Sequence, residues 1–290
     1  MFNIKIDLAV IAQSAFKYLA YTAGVLLLLV LTIIFTGTSG LGAQKITVCG
    51  TGDSQSLLTI IAREFMKENS GVIVEIPDSI GSRGGIRSTA DGDCDLGRTA
   101  RPFREDELKY ELGYRVFAYS PVVFAVNPKG VGVHNLSTHQ IIGIYSGKIA
   151  SWKEVGGKDE KLYIANREKG DSSRIILEEH LEGFKDIQSF AGKIIYTTPE
   201  TADTIAEYES TIGYVPLSLA LYKHLNVMSI DGISPSVENV QNGTYKYSSP
   251  FGIVWKGKPS APANAFLEYL FSPAAQKLII HFGAVPARGK

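Results

Sequence analysis

Two apolar rhythms alternate along the chain. Short runs of β-branched and aromatic residues, such as "KITV", "GVIVEI" and "SPVVFAV", give way to stretches whose apolar positions recur every three or four residues. After the first run, Leu57, Leu58, Ile61, Phe65 and Met66 fall on one helical face, and Gly71 ends the segment. "KLYIANREKGDSSRIILEEHL" repeats the scheme as strand, turn and helix, and Ser137 opens another helix in "STHQIIGIYSG". A brief strand is expected at 95–97, further strands in "TIGYVPLSLA" and "LNVMSIDG", and two helices separated by "SP" near the end. Alternation of this kind specifies an α/β fold on a parallel sheet. Two longer apolar runs, 121–126 and 251–255, bracket the middle of the chain, so the backbone is expected to cross twice between two lobes. The expected partition is 45–120 with 248–290 as one lobe, 121–247 as the other, and 1–44 as a separate N-terminal segment.

That segment changes the picture of where the protein works. "LAYTAGVLLLLVLTIIF", residues 19–35, carries no charge and follows Lys5 and Lys17. It approaches the roughly 20 apolar residues of a spanning helix and exceeds the core of about 7–15 in a signal peptide. The pattern predicts a transmembrane or signal helix, an uncleaved anchor being favoured, with everything after it outside the cytoplasmic membrane. The 290 residues carry 29 basic and 29 acidic side chains, a balance that argues against nucleic acid as the main partner. Cys49 ends one expected strand and Cys94 precedes another. Parallel strands would leave these sulfurs at opposite sheet ends, so both are expected to be buried free thiols.

The candidate chemistry lies at three strand-to-helix turns: "GTGDS" (50–54), "GSRGGI" (81–86) and "GDSSR" (170–174). Glycines and hydroxyls at a helix N-terminus leave free amides, and the positive end of the dipole, for an anion. Helix capping alone would explain any one of them; three together, with Arg167 beside the last, favour a shared site. The binding candidates are Thr51, Asp53, Ser54, Ser82, Arg101, Arg167, Asp171, Ser172 and Ser173. Nothing resembles HExxH, CxxC, GxGxxG or a Walker loop, and "IGSRG" lacks the first glycine of a nucleophile elbow, so no catalytic residue, metal or cofactor is expected. "EEH" at 178–180 reads as a solvated helix face, and Trp152 as packing.

The order of these motifs, joined by "CDLGRTARPF", "IYSGKIASWKEVGG" and "YKYSSPFGIVWKG", resembles the phosphate-binding proteins of ABC importers over nearly the whole chain after the N-terminal segment. The resemblance implies a type II periplasmic-binding-protein fold, with two α/β lobes joined by a two-strand hinge behind an N-terminal transmembrane or signal helix. It also implies a monomer that delivers phosphate or a related small oxyanion to an ABC permease. Ser82 falls where that family places an anion-binding serine, Arg167 where an arginine pairs with the oxyanion, Ser173 where a threonine hydroxyl donates, and Arg174 at a further arginine. Three positions depart. Asp53 stands where a threonine is usual, Asp171 replaces a serine, and Ala100 stands where relatives carry a serine or a proton-accepting aspartate. Arg98 and Arg101 add positive charge nearby, Arg101 at a usual family position.

A carboxylate about 4 Å from an anion costs roughly 4 kcal/mol at an effective dielectric of 20, about a thousandfold in affinity. Three readings accommodate the aspartates. They are N-caps turned back on helix amides; or one accepts the ligand's proton in place of Ala100; or the ligand carries a donor or cationic group besides its anionic one. Two other functions share the same residues. One is a tethered sensor for a different anionic or zwitterionic ligand. The other is a phosphatase on this fold, with Asp53 and Asp171 holding a divalent ion.

Overall fold

The computed structural model describes residues 43–287, and the apolar segment 19–35 lies outside them. Among the described residues no helix is long and apolar enough to cross a membrane. The main strands are β1 (Gln44–Gly50), β2 (Val72–Glu75), β3 (Leu96–Thr99), β4 (Gly113–Val126), β5 (Tyr163–Arg167), β6 (Lys193–Ile195), β7 (Thr211–Pro216) and β8 (Ser248–Trp255). The helices that matter here are α1 (Gln55–Glu68), α2 (Gly81–Asp91), α3 (Thr138–Tyr145), α4 (Ser172–His180), α5 (Thr198–Glu207), α6 (Leu217–Tyr222), α7 (Ala261–Tyr269) and α8 (Pro273–His281).

The strands lie in the order β2-β1-β3-β8-β4-β7-β5-β6. Parallel pairing holds only within each half: β1 with β2 and β3, and β5 with β6 and β7. Between them β4 and β8 run antiparallel to each other and to their outer neighbours β7 and β3. The expected parallel sheet is thus two parallel sheets joined through a mixed centre. At 14 residues, β4 is far longer than the expected run, because its first half pairs with β8 in the other lobe. Pro121 sits opposite Ser248 at this crossing, where a residue without an N–H leaves a gap in the hydrogen-bonded ladder.

Separate cores lie on either side of that point. One gathers Ile46, Val48, Leu58, Ile61, Phe65, Phe117, Phe251 and Phe266. The other gathers Val122, Phe124, Tyr145, Trp152, Phe184 and Tyr214. Val123, Ala125 and Val215 face the opposite side of the second sheet, since neighbouring residues of a strand point to opposite faces. The α1 stripe packs as its spacing predicts. Leu57, Leu58, Ile61 and Phe65 are buried, each worth about 1.5–3 kcal/mol, and Leu58→Ala alone would cost about 2–5 kcal/mol. Ser137 caps α3 by accepting from the Gln140 amide at 3.2 Å. Trp152 is fully buried and donates to the Ser210 carbonyl at 2.9 Å, a packing role.

Two expectations fail. "TIGYVPLSLA" is not one strand: β7 stops at Pro216, and the buried Leu217, Leu219 and Ala220 belong to α6. Pro216 fixes φ at −61° as the N-cap of that helix, which the apolar run concealed. The cysteines are also paired, not free. Cys49 and Cys94 form a disulfide with Cα atoms 6.1 Å apart. β3 is short and begins opposite Val48, near the end of β1, so Cys94 just before β3 lies beside Cys49 and not at the far end of the sheet.

Candidate functional site

Four strand-to-helix junctions meet where the two lobes face each other. The β1–α1 turn begins at Gly50, with φ of +138°. A Cβ there would lie 2.0 Å from the Arg98 carbonyl oxygen, so only glycine allows the turn to press against β3. Opposite, the β5–α4 turn passes through Gly170 at φ +91° into Asp171, whose Oδ1 accepts from the Arg174 amide at 3.0 Å and caps α4. The β6–α5 turn adds Thr198, next to the N-cap Thr197. The junction before α2 supplies Ser82, whose Oγ accepts from the Ala100 amide and lies 3.0 Å from Ser172 Oγ of the other lobe.

Between them lies a cavity of about 340 Å³, the size class of small-molecule sites. Thr51, Ser82, Arg101, Arg167, Asp171 and Ser172 line it, as does Thr198. Ser54, Asp53 and Ser173 are not on its wall. Ser54 is fully buried with its Oγ unpartnered, while Asp53 and Ser173 bond each other. Two larger hollows, of about 1000 and 1280 Å³, lie beside β5–β6 and against β4 and β8. Neither gathers helix N-termini around a buried cation.

The arginines divide into two kinds. Arg98 is fully buried under the β1–α1 turn, donating to the carbonyls of Val48, Thr51 and Pro77. Burial pushes its pKa down to about 10, and it braces the turn without reaching the cavity. Arg101 makes a two-pronged pair with Glu107, both contacts 2.7 Å. Burial alone would raise the Glu107 carboxyl, but the hydrogen bonds and charge of Arg101 hold it below its ordinary value. Arg174 donates to the Arg167 carbonyl and to Glu178, and stacks on Phe190. Arg167 lines the cavity with a buried guanidinium that keeps one nitrogen free. Nη2 meets Asp171 Oδ2 at 2.5 Å, Nη1 donates to Thr201, and Nε has no partner. Burial would lower its pKa, yet the neighbouring Asp171 raises it, so the group stays charged.

The two aspartates differ accordingly. Asp171 is both cap and counterion, as the capping reading expects. Asp53 caps nothing: Ser54 is the N-cap of α1. Its carboxylate reaches across to the other lobe, where Ser173 donates to Oδ2 at 3.2 Å and Thr198 donates to Oδ1. Burial, then the Asp171 charge, push its pKa up to about 6, against the pull of Arg167 and the two hydroxyls.

The sequence matches the PBP superfamily domain over residues 36–274. The chain belongs to that superfamily. Among similar proteins, the phosphate-binding protein PstS of Bacillus subtilis is 29% identical over 240 residues, covering 81% of this chain and 78% of its own. Its counterpart in Borreliella burgdorferi is 22% identical over 244 residues, covering 81% and 87%. A Clostridium perfringens structure assigned as a phosphate ABC transporter substrate-binding protein, with bound phosphate, aligns with a TM-score of 0.74 and 24% identity. It covers 84% of this chain and all of that one. Two of these relatives are phosphate-binding proteins by name, and the third is a phosphate transporter's substrate-binding protein.

Within this PBP-superfamily fold, sequence reasoning overlooked Thr198, Thr201 and Glu107, which bond Asp53, Arg167 and Arg101 respectively. The signal for the two threonines was present in "YTTPETADTI", a fourth strand end followed by a Thr-Pro helix start. Glu107 had no local signal, because its pairing depends on the loop between β3 and β4 folding back on itself.

Proposed function

We propose that this protein is an extracytoplasmic solute-binding protein that takes phosphate or a closely related small oxyanion and delivers it to an ABC permease. The observation that carries this reading is the convergence of helix N-termini from both lobes on the buried guanidinium of Arg167, around a cavity of about 340 Å³. First-turn amides of α2 and α4, the hydroxyls of Thr51, Ser82 and Ser172, and the unpartnered Arg167 Nε form the grip for the anion's oxygens. The names of the relatives supply phosphate as the first ligand to test.

The two cores act as lobes 45–120 with 248–290 and 121–247, swinging about the paired strands β4 and β8 at Pro121 and Ser248. The Cys49–Cys94 disulfide fits an oxidising compartment, which supports a position outside the cytoplasm with segment 19–35 as the tether. A balanced net charge fits a monomer that handles a small ion and no nucleic acid.

Titration calorimetry of the full chain with phosphate, sulfate and molybdate tests the reading. Saturable phosphate heat is expected from the wild type and none from Arg167→Ala. Phosphate heats identical in the two proteins would remove Arg167 from the site, and no phosphate heat from the wild type would dismiss the ligand.

A further inference from the structure

Three donors on the cavity wall or directly behind it are already bonded to carboxylates of the protein. Arg167 Nη2 holds Asp171, while Ser173 and Thr198 both hold Asp53. The Asp171 bond is local, four residues from Arg167 within one lobe. The Asp53 bonds are different: the carboxylate comes from the turn before α1, and its two hydroxyls come from α4 and α5 of the opposite lobe. Two oxygens accepting from two hydroxyls beside a guanidinium is the arrangement a bound oxyanion would make.

We propose that Asp53 is a tethered competitor of the ligand, a carboxylate that occupies donors of the anion cradle and fastens the two lobes through Ser173 and Thr198. This rests on the anion-binding reading above and adds what sets its affinity. An anion that enters must take these donors from Asp53, or sit beside it and beside a second negative charge at Asp171. Arg167 is the cation that acts on Asp53 and pairs with Asp171, while Arg104 and Lys169 line the outer part of the same cavity. Arg98, the other buried cation near the turn, faces the Thr51 carbonyl from β3 and is not aimed at the carboxylate. A proton on Asp53 relieves the conflict, because a neutral carboxyl neither repels the anion nor needs both hydroxyls. Anion binding therefore draws in a proton wherever Asp53 is ionised beforehand, which its pKa near 6 places at neutral and alkaline pH.

The test uses the full chain and inorganic phosphate, with Asp53→Asn as an isosteric neutral variant. Calorimetry at pH 8 is expected to show phosphate binding at least tenfold tighter in Asp53→Asn than in the wild type. The gap should close at pH 5, and at pH 8 the wild type alone should take up an extra proton on binding. Weaker binding by Asp53→Asn at pH 8 would overturn the proposal and make Asp53 a ligand contact. A ligand-independent arm measures the fastening itself. Spin labels at Arg87→Cys and Lys185→Cys, one on each lobe, are expected to give a longer and broader distance in Asp53→Asn. The same is expected in Thr198→Val, which deletes one hydroxyl and keeps the charge. Distances unchanged in both variants would overturn the fastening even if phosphate binds. Should phosphate bind neither protein, the functional reading fails while the distances still decide this one.

Discussion

The two lobes use their buried charges differently around the same cavity. In the lobe built on β1–β3, the two buried arginines are spent on structure: Arg98 braces carbonyls, and Arg101 is neutralised by Glu107, while the less buried Arg83 and Arg104 also line the cavity. The Cys49–Cys94 disulfide lies next to the turn, and this lobe sends across the gap a carboxylate, Asp53, as well as the Arg104 guanidinium, which donates to the Gly170 carbonyl at 3.2 Å. In the lobe built on β5–β7, Arg167 faces the cavity with one local counterion and one nitrogen unpartnered. The second lobe holds the buried guanidinium with a free nitrogen, and the first brings hydroxyls, a buried carboxylate and less buried arginines. Formal charge along the chain said little about this, since an arginine counts for a site only after its own partners are subtracted.

The largest test of that contrast is Arg167→Ala. It strips the buried cation that keeps a free nitrogen and leaves Asp171 buried without its ion-pair partner, so stability should fall by about 3–5 kcal/mol and phosphate binding should vanish. Urea unfolding beside calorimetry separates the two losses. Next comes Cys49→Ser, which opens a loop of 45 residues in the rigid lobe and should cost about 4 kcal/mol, read from the urea midpoint under oxidising conditions. Unchanged stability would mean that Arg98 and the core hold this turn unaided.

Asp53 ranks third, and its sign runs opposite to that of a salt-bridged carboxylate. Its pKa rises from 3.8 to about 6 on folding, so the native state holds a proton that the unfolded chain releases. The resulting penalty grows as pH climbs from 4 through 6, is constant above, and reaches about 3 kcal/mol. Wild type should therefore lose stability relative to Asp53→Asn over that window, and melting curves from pH 4 to 8 that stay parallel would contradict the burial of this charge.

Asp171→Asn is a gentler probe. Asparagine caps a helix as well as aspartate, so α4 should persist while Arg167 loses its counterion. Phosphate affinity should rise about tenfold, or 1.4 kcal/mol; a fall would show that Asp171 orients Arg167 more than it competes with the ligand. At the bottom of the scale, Lys153→Ala breaks a pair with Asp159 that is exposed on both sides, and the melting temperature should not move.

What was legible in the sequence followed from short-range rules. The α1 stripe, the Ser137 cap and the glycine-hydroxyl turns all rest on spacing within a dozen residues, and they are found where the spacing puts them. Where a boundary depended on one residue inside an apolar run, as with Pro216, periodicity blurred strand into helix. The Cys49–Cys94 bond failed for a different reason, since it hangs on where β3 starts relative to β1, a register that no local pattern fixes.

The sequence by itself determined the class of fold, the crossing of the chain between two halves, and which turns offer amides and hydroxyls to an anion. Local propensity and apolar periodicity suffice for those. Only the tertiary structure decided what each charge does. It gave Arg98 to carbonyls, Arg101 to Glu107 and Arg167 to the cavity, and it turned Asp53 away from its own helix towards Ser173 and Thr198. Electrostatic roles depend on burial and, for Arg98 and Asp53, on partners tens of residues away, and those distances exist only once the chain has folded.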